Sequence, residues 1–296
     1  MSRADALPLA DDDTRTAIGC FLLAILLFAG MDTLIKHLST GYPVAQLMFV
    51  RSVVALALIG GVSVARSGWG SLRTRRPLAH VGRSFAGLLS MGCFFFAFKH
   101  LPLADVYVLS FAGPLFITAL SMPLLGEPVG WRRWAAVLVG FGGVVVMARP
   151  VADAPMLPVV VGVAAAFFYA LAMIAVRGLS RTETNAAIVV YLLLTTTVVS
   201  GIAAVPVWVA PDWSAVGLML LVGILGGVAQ VLITQAFRLG RAAVVAPFEY
   251  TGMIWATLFG FLVFGDVPTP AVLGGAGIII ASGLYILHRE TLRKGG

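Results

Sequence analysis

Only 11% of this 296-residue chain is charged, so the charges that fall inside long apolar runs are the first place to look for chemistry. Asp32 lies a few residues before the end of the first such run, Arg51 early in the second, and Glu249 well inside the ninth. A charge in hydrocarbon costs roughly 2.5–3.5 kcal/mol on insertion scales and is normally paired or faces water. Asp32 and Arg51 are therefore expected either as a structural ion pair or as parts of a gate or binding site, with Lys36, one helical turn from Asp32, as a rival partner. Glu249 lies seven residues beyond Ala242, roughly 10 Å into the membrane at about 1.5 Å per helical residue. A carboxyl at that depth can serve proton coupling, or it can be a hydrogen-bonded structural acid; Gln230, Gln235 and Arg238 are its candidate neighbours. Tyr107, Tyr169, Tyr250 and Trp255 also sit within apolar runs and carry polar tips that seek partners. Of these, Tyr169, Tyr250 and Trp255, with Gln230 and Glu249, form the expected substrate-binding set.

The same inventory weighs against other chemistries. The four histidines, His37, His80, His100 and His288, all lie near the ends of apolar runs, and no His/Asp/Glu spacing suits a metal. There is no nucleophile elbow and no phosphate-cradling loop, which argues against a membrane enzyme and gives no catalytic residue, cofactor or metal. A channel would want a ring of acids or a filter-like loop, and neither is visible. Cys20 and Cys93 both fall in apolar runs and give no disulfide framework.

The elements that must hold these residues follow from composition. With 60% hydrophobic residues, 33 glycines and a mean hydropathy of +1.00, the chain is an integral membrane protein. Ten segments, at 17–35, 44–65, 81–98, 103–125, 131–148, 156–176, 186–209, 213–237, 242–264 and 270–287, are long enough to cross a hydrocarbon core of about 30 Å. Their continuous apolarity, without alternation, predicts helices rather than barrel strands. The pI near 9.9 does not point to nucleic acid, because the basic residues lie between the apolar runs, where they orient helices. Sixteen of the 20 fall on one side if the N-terminus is cytoplasmic; Lys36, Lys99 and Arg149 fall opposite. Both termini are thus expected in the cytoplasm.

A repeat organises the whole. Residues 97–128 and 236–267 align without a gap, 139 residues apart, matching at Ala97/Ala236, Phe98/Phe237, Ala104/Ala243, Val106/Val245, Gly113/Gly252, Thr118/Thr257 and Gly126/Gly265. Lys99/Arg238 and Glu127/Asp266 are paired by charge. The period predicts two five-helix halves, 17–148 and 156–287, between cytoplasmic tails 1–16 and 288–296. Five spans is an odd number, so the second half enters from the opposite side and the repeats are inverted. In Gly126-Glu127-Pro128 and Gly265-Asp266-Val267-Pro268, glycine closes one helix and the acid sits by the start of the next; gating is the alternative role. Gly223-x-x-x-Gly227 fits close helix packing within the bundle or a weak dimer.

These two Gly-acid blocks, five spans per half and the basic ends at Lys36, Arg177, Lys99 and Arg238 resemble the drug/metabolite transporter superfamily, in its EamA-type branch, over about residues 16–290. The stretches 247–268 and 283–290 are similar to ones in bacterial exporters of amino acids and in importers of vitamins and S-adenosylmethionine. The resemblance implies a multi-pass transporter of the bacterial inner membrane with a central cavity between halves. Its partners would be a small-molecule substrate and the lipid bilayer, with no nucleic acid, with proton coupling as an open feature, and as a monomer or weak dimer. Amino acid export by alternating access is placed first, vitamin or S-adenosylmethionine uptake second.

Overall fold

The computed structural model describes residues 11–125, 131–148, 156–179, 182–239 and 246–294, and among these it is built of helices and turns. In chain order the helices are α1 (Asp11–Leu38), α2 (Val44–Ser67), α3 (Pro77–His100), α4 (Leu103–Ser110), α5 (Gly113–Leu125), α6 (Trp131–Ala148), α7 (Met156–Leu179), α8 (Asn185–Ala204), α9 (Trp213–Leu239), α10 (Gly252–Phe259) and α11 (Pro270–Lys294). Among the described residues seven spans are long and apolar enough to cross a bilayer, and three shorter apolar ones, 134–146, 248–264 and 270–286, accompany them. Local chemistry sets the ends. Pro43 and Pro102 hold extended backbone just before α2 and α4; the Asp212 carboxylate accepts from the Ala215 N–H at 2.7 Å at the head of α9; Thr184 caps α8 through the Ala187 N–H at 3.1 Å.

Two of the expected continuous spans are broken. The 103–125 segment divides at Phe111-Ala112 into α4 and α5, and the 242–264 segment runs as a 3-10 turn over Ala246–Thr251, then α10, then a π turn over Gly260–Phe264. Pro114 lacks the N–H that would carry the hydrogen-bond ladder across the first break. At both breaks a hydroxyl takes a backbone carbonyl three residues back: Ser110 donates to Tyr107 at 2.7 Å and Thr251 to Phe248 at 2.6 Å. By the 139-residue period the breaks fall at equivalent places, so apolar content alone hid them while the repeat was already present in the sequence.

The packing respects that period as well. The most extensive helix pairings are α1 with α9, α3 with α7, α6 with α11 and α2 with α8. Exchanging each helix for its counterpart in the other repeat turns the first pairing into the second and returns the other two to themselves. Glycines permit the closest approaches. A Cβ on Gly143 would lie 2.9 Å from the Gly275 carbonyl between α6 and α11, and one on Gly227 3.4 Å from Leu58 of α2. Gly223 likewise abuts Val54 of α2, so the Gly223/Gly227 stripe is spent on packing inside the bundle.

The exterior is apolar, with Leu138, Ile202 and Leu262 each about two-thirds exposed or more (68%, 71% and 66%), as a lipid solvent requires. Exposed tryptophans mark both ends, Trp208 and Trp213 at one and Trp69 and Trp131 at the other, where interfacial aromatic belts form.

Candidate functional site

At the end of the bundle that carries the α1–α2 turn, Lys36 reaches across to the second repeat. Its Nζ lies 2.6 Å from Asp266 Oδ2 and 4.5 Å from the centre of the Phe264 ring. Gly265 makes this geometry: its backbone is left-handed, φ 71°, which reverses the chain after the π turn and presents Asp266 sideways. The glycine thus closes a helix as its position suggested. The acid does not serve the start of α11, where the Thr269 hydroxyl accepts from the Val272 N–H at 3.3 Å instead. Asp105, in the first turn of α4, shares the electrostatic field of Lys36 and Asp266. The same end holds a second cross-repeat contact, in which the Gln46 side chain donates to the Val209 carbonyl at 2.8 Å and accepts its N–H at 3.0 Å.

One turn deeper on α1, Asp32 is buried. Its Oδ2 accepts from the Tyr107 hydroxyl at 2.8 Å. Arg51 on α2 lies close enough for its charge to bear on Asp32, yet its Nε and Nη1 donate to the sulfurs of Met31 and Met91, at 3.3 and 2.9 Å. Of the two partners considered for Asp32, Lys36 is engaged by Asp266 and Arg51 stops short of an ion pair. The tyrosine between them was visible in the sequence only as one aromatic among several.

At the two breaks the repeats meet. Phe111 and Tyr250, which occupy equivalent positions, pack edge to face with ring centres 5.1 Å apart, as residues beside a pseudo-twofold axis should. Each neighbouring glycine carries a tyrosine ring from elsewhere. A Cβ on Gly113 would stand 3.0 Å from the Tyr169 ring, and one on Gly252 2.8 Å from the Tyr107 ring. The Glu249 carboxyl bears electrostatically on both Tyr169 and Tyr250, and the Tyr250 hydroxyl abuts Gly283 of α11. Three of the five expected substrate residues are therefore assembled here. Gln230 is half-buried on α9, one turn after Gly226, which touches Arg51. Trp255 packs on the apolar cluster of Ala17, Phe21, Ile25 and Ala236, with its ring 6.5 Å from Phe259. The Arg238 side chain, the Glu127 block and the Arg177 side chain lie outside the described residues.

Beyond Tyr169, toward the other end, an apolar cavity of about 270 Å³ opens between α5 and α7, lined by Ile117, Met173, Ile174 and Val176. That end has its own cross-repeat contacts: Thr184 donates to the Ser71 carbonyl at 2.6 Å, Glu183 accepts from the Arg75 N–H at 3.3 Å, and His80 approaches Glu183 at 3.5 Å.

An apolar-skinned helical bundle with paired broken helices and polar groups gathered at the breaks defines a multi-pass membrane transporter, in keeping with a bacterial inner membrane. The sequence relationships carry this further. The chain belongs to the EamA-like transporter family, whose pattern matches residues 15–149 and again 156–287. It is 28% identical over 277 residues to an S-adenosylmethionine uptake transporter of Rickettsia bellii, covering 92% of this chain and 94% of that one. It is 32% identical to a riboflavin transporter of Vibrio cholerae, covering 92% and 93%, and 30% identical to a pseudopaline exporter of Pseudomonas aeruginosa, covering 92% and 95%. A crystal structure with 20% sequence identity superposes with a TM-score of 0.66 over 95% of this chain and 98% of that one; at that identity it speaks for the fold alone.

Proposed function

We propose that this transporter exports amino acids by alternating access between two inverted halves, with both termini in the cytoplasm. The observation that carries the reading is the meeting of equivalent residues, Phe111 and Tyr250, at equivalent helix breaks. Discontinuous membrane helices at a repeat interface are where such carriers bind substrate, because freed backbone groups and half-helix ends face inward there. Tyr169, Glu249 and Tyr250 supply hydroxyl and carboxyl groups at the breaks, and Gln230 on α9 offers an amide. That equipment suits a small amphipathic solute better than a polyanion needing a basic clamp. Lys36–Asp266 is the gate on the periplasmic side, and Glu249 is the group through which protons would be coupled.

Uptake of a vitamin or of S-adenosylmethionine is the second reading, favoured by the names of the relatives at 32% and 28% identity. A liposome flux screen over amino acids, riboflavin and S-adenosylmethionine, with and without a proton gradient, separates the two. Movement of an amino acid supports export; accumulation of riboflavin or S-adenosylmethionine with no amino acid flux reverses the order. Sidedness is read independently with single cysteines. Arg75→Cys and Lys294→Cys should resist an impermeant reagent in sealed cells while Asp212→Cys reacts, and labelling at 294 would overturn the orientation.

A further inference from the structure

The arrangement around Arg51 and Asp32 leaves two opposite charges near each other and incompletely used. The guanidinium rests on two thioether sulfurs, which are weak acceptors. The Asp32 carboxylate has Oδ2 on Tyr107. Among the described residues Lys36 meets Asp266 and His80 lies near Glu183, whereas the attraction between Asp32 and Arg51 is not realised as contact. In a low-dielectric interior, separated charges with spare hydrogen-bonding capacity favour a guest that completes both.

We propose that Arg51 and Asp32 receive the head group of an α-amino acid, Arg51 holding the carboxylate and Asp32, braced by Tyr107, holding the ammonium. This rests on the amino-acid reading above and names the part of the substrate that is recognised. A zwitterion laid head to tail between the two side chains replaces the thioether contacts with a bidentate guanidinium–carboxylate pair. It adds no net charge to the membrane interior. Met31 and Met91 are flexible enough to move aside and then cover the apolar part of the guest. Phe98 offers an aromatic wall beside them, its ring 6.4 Å from both Phe94 and Tyr107. Gly226 lets Met31 and Arg51 pack closely against α9, since a Cβ there would stand 2.8 Å from the Met31 sulfur and 3.1 Å from Arg51 Nε. The site lies one turn below Lys36 on α1, so opening Lys36–Asp266 would uncover it. S-adenosylmethionine carries the same head group and riboflavin does not.

Binding to the purified full chain, followed by thermal stabilisation, tests this with L-phenylalanine, L-methionine and S-adenosylmethionine, and with the amide and N-acetyl forms of the two amino acids. At least one parent compound should bind, and loss of either head-group charge should weaken it at least tenfold. Arg51→Gln should erase discrimination against the amide, and Asp32→Asn discrimination against the N-acetyl form, a change in selectivity that misfolding does not produce. Amide and N-acetyl forms binding as tightly as the parent to the unaltered protein would overturn the head-group assignment while leaving amino acid transport standing. Stabilisation by riboflavin with none by the three parents would overturn the amino-acid reading and this assignment together.

Discussion

Breaking the Lys36–Asp266 pair should release the end of the bundle that it joins, by an amount the structure bounds. The charges are 2.6 Å apart and their side chains keep 15% and 28% of their exposure, which places the pair between the surface and the interior. At an effective dielectric near 20 the attraction of two unit charges is about 4 kcal/mol at roughly 4 Å between charge centres. Ordering the lysine costs up to about 2 kcal/mol, and residual water screens part of the remainder. A net contribution of about 1–2 kcal/mol is left, above the typical surface pair and below the cost of stripping one partner from a fully buried one. If the pair forms only when this end is closed, Asp266→Asn or Lys36→Gln should raise the open population about fivefold to thirtyfold. Leu103 reports on it: the residue is fully buried, and a Cβ on Gly260 would stand 3.9 Å from it and 3.7 Å from Asp266. In a background without Cys20 and Cys93, Leu103→Cys should react with an impermeant maleimide faster by that factor in either variant. The double variant should gain little more than one single change, and the exchange Lys36→Asp with Asp266→Lys should restore part of the protection. Unchanged labelling in the single variants, or strictly additive gains in the double, would refute the role of the pair.

Three further outcomes are expected. Gly252→Ala places a methyl 2.8 Å from the Tyr107 ring, which should cost about 1–3 kcal/mol of overpacking and, by moving the hydroxyl that holds Asp32, reduce flux more than Gly142→Ala, where a Cβ meets nothing within 4 Å; equal effects would count against it. Glu249→Gln should leave folded yield intact but flatten the dependence of flux on pH, and a profile unchanged in shape would remove Glu249 from proton coupling. The Ala215 N–H and then the Ser214 hydroxyl hold the Asp212 carboxyl below its ordinary value. Its stabilising effect is therefore complete above the unfolded pKa, about 4, and is lost as pH falls through the lower folded value. Asp212→Asn should narrow the gap between melting temperatures measured at pH 7 and pH 3, and a gap as wide as that of the parent protein would contradict the capping role.

What the sequence revealed, and what it withheld, divides along contact range. The repeat and the apolar segments were legible because they are properties of composition and period, and the gapless alignment already makes Phe111 and Tyr250 equivalent. The breaks in the fourth and ninth segments were not. Apolar content runs straight through 103–125, and the interruption depends on Pro114 together with the ring of Tyr169 pressing on Gly113 from another helix. Lys36 and Asp266 are 230 residues apart. Charge bias put both at one face of the membrane, but nothing periodic links them, and the nearer Asp32 looked the better partner. The tyrosine that claims Asp32 comes from 75 residues away. Helix existence follows from local pattern, whereas the identity of a polar partner inside a membrane follows from which helices cross.

The two ends of the bundle are related through the repeat. The 139-residue shift relates 97–128 to 236–267, whereas the basic ends of α1 and α7 set Lys36 on Arg177, a shift of 141. The Lys36 end is joined across the repeats by Lys36–Asp266 and Gln46–Val209, and the other end by Thr184–Ser71 and Glu183–Arg75. Two near-equivalent halves in unequal conformations can exchange them at little cost, which is the physical basis of alternating access. On these registers Lys36 and Asp266 correspond to Arg177 and Glu127, so the sequence places one basic and one acidic residue in equivalent positions at each end. If Lys36–Asp266 is the gate proposed above, anything that competes for Lys36 or Asp266 should shift the carrier toward the state in which that end is open.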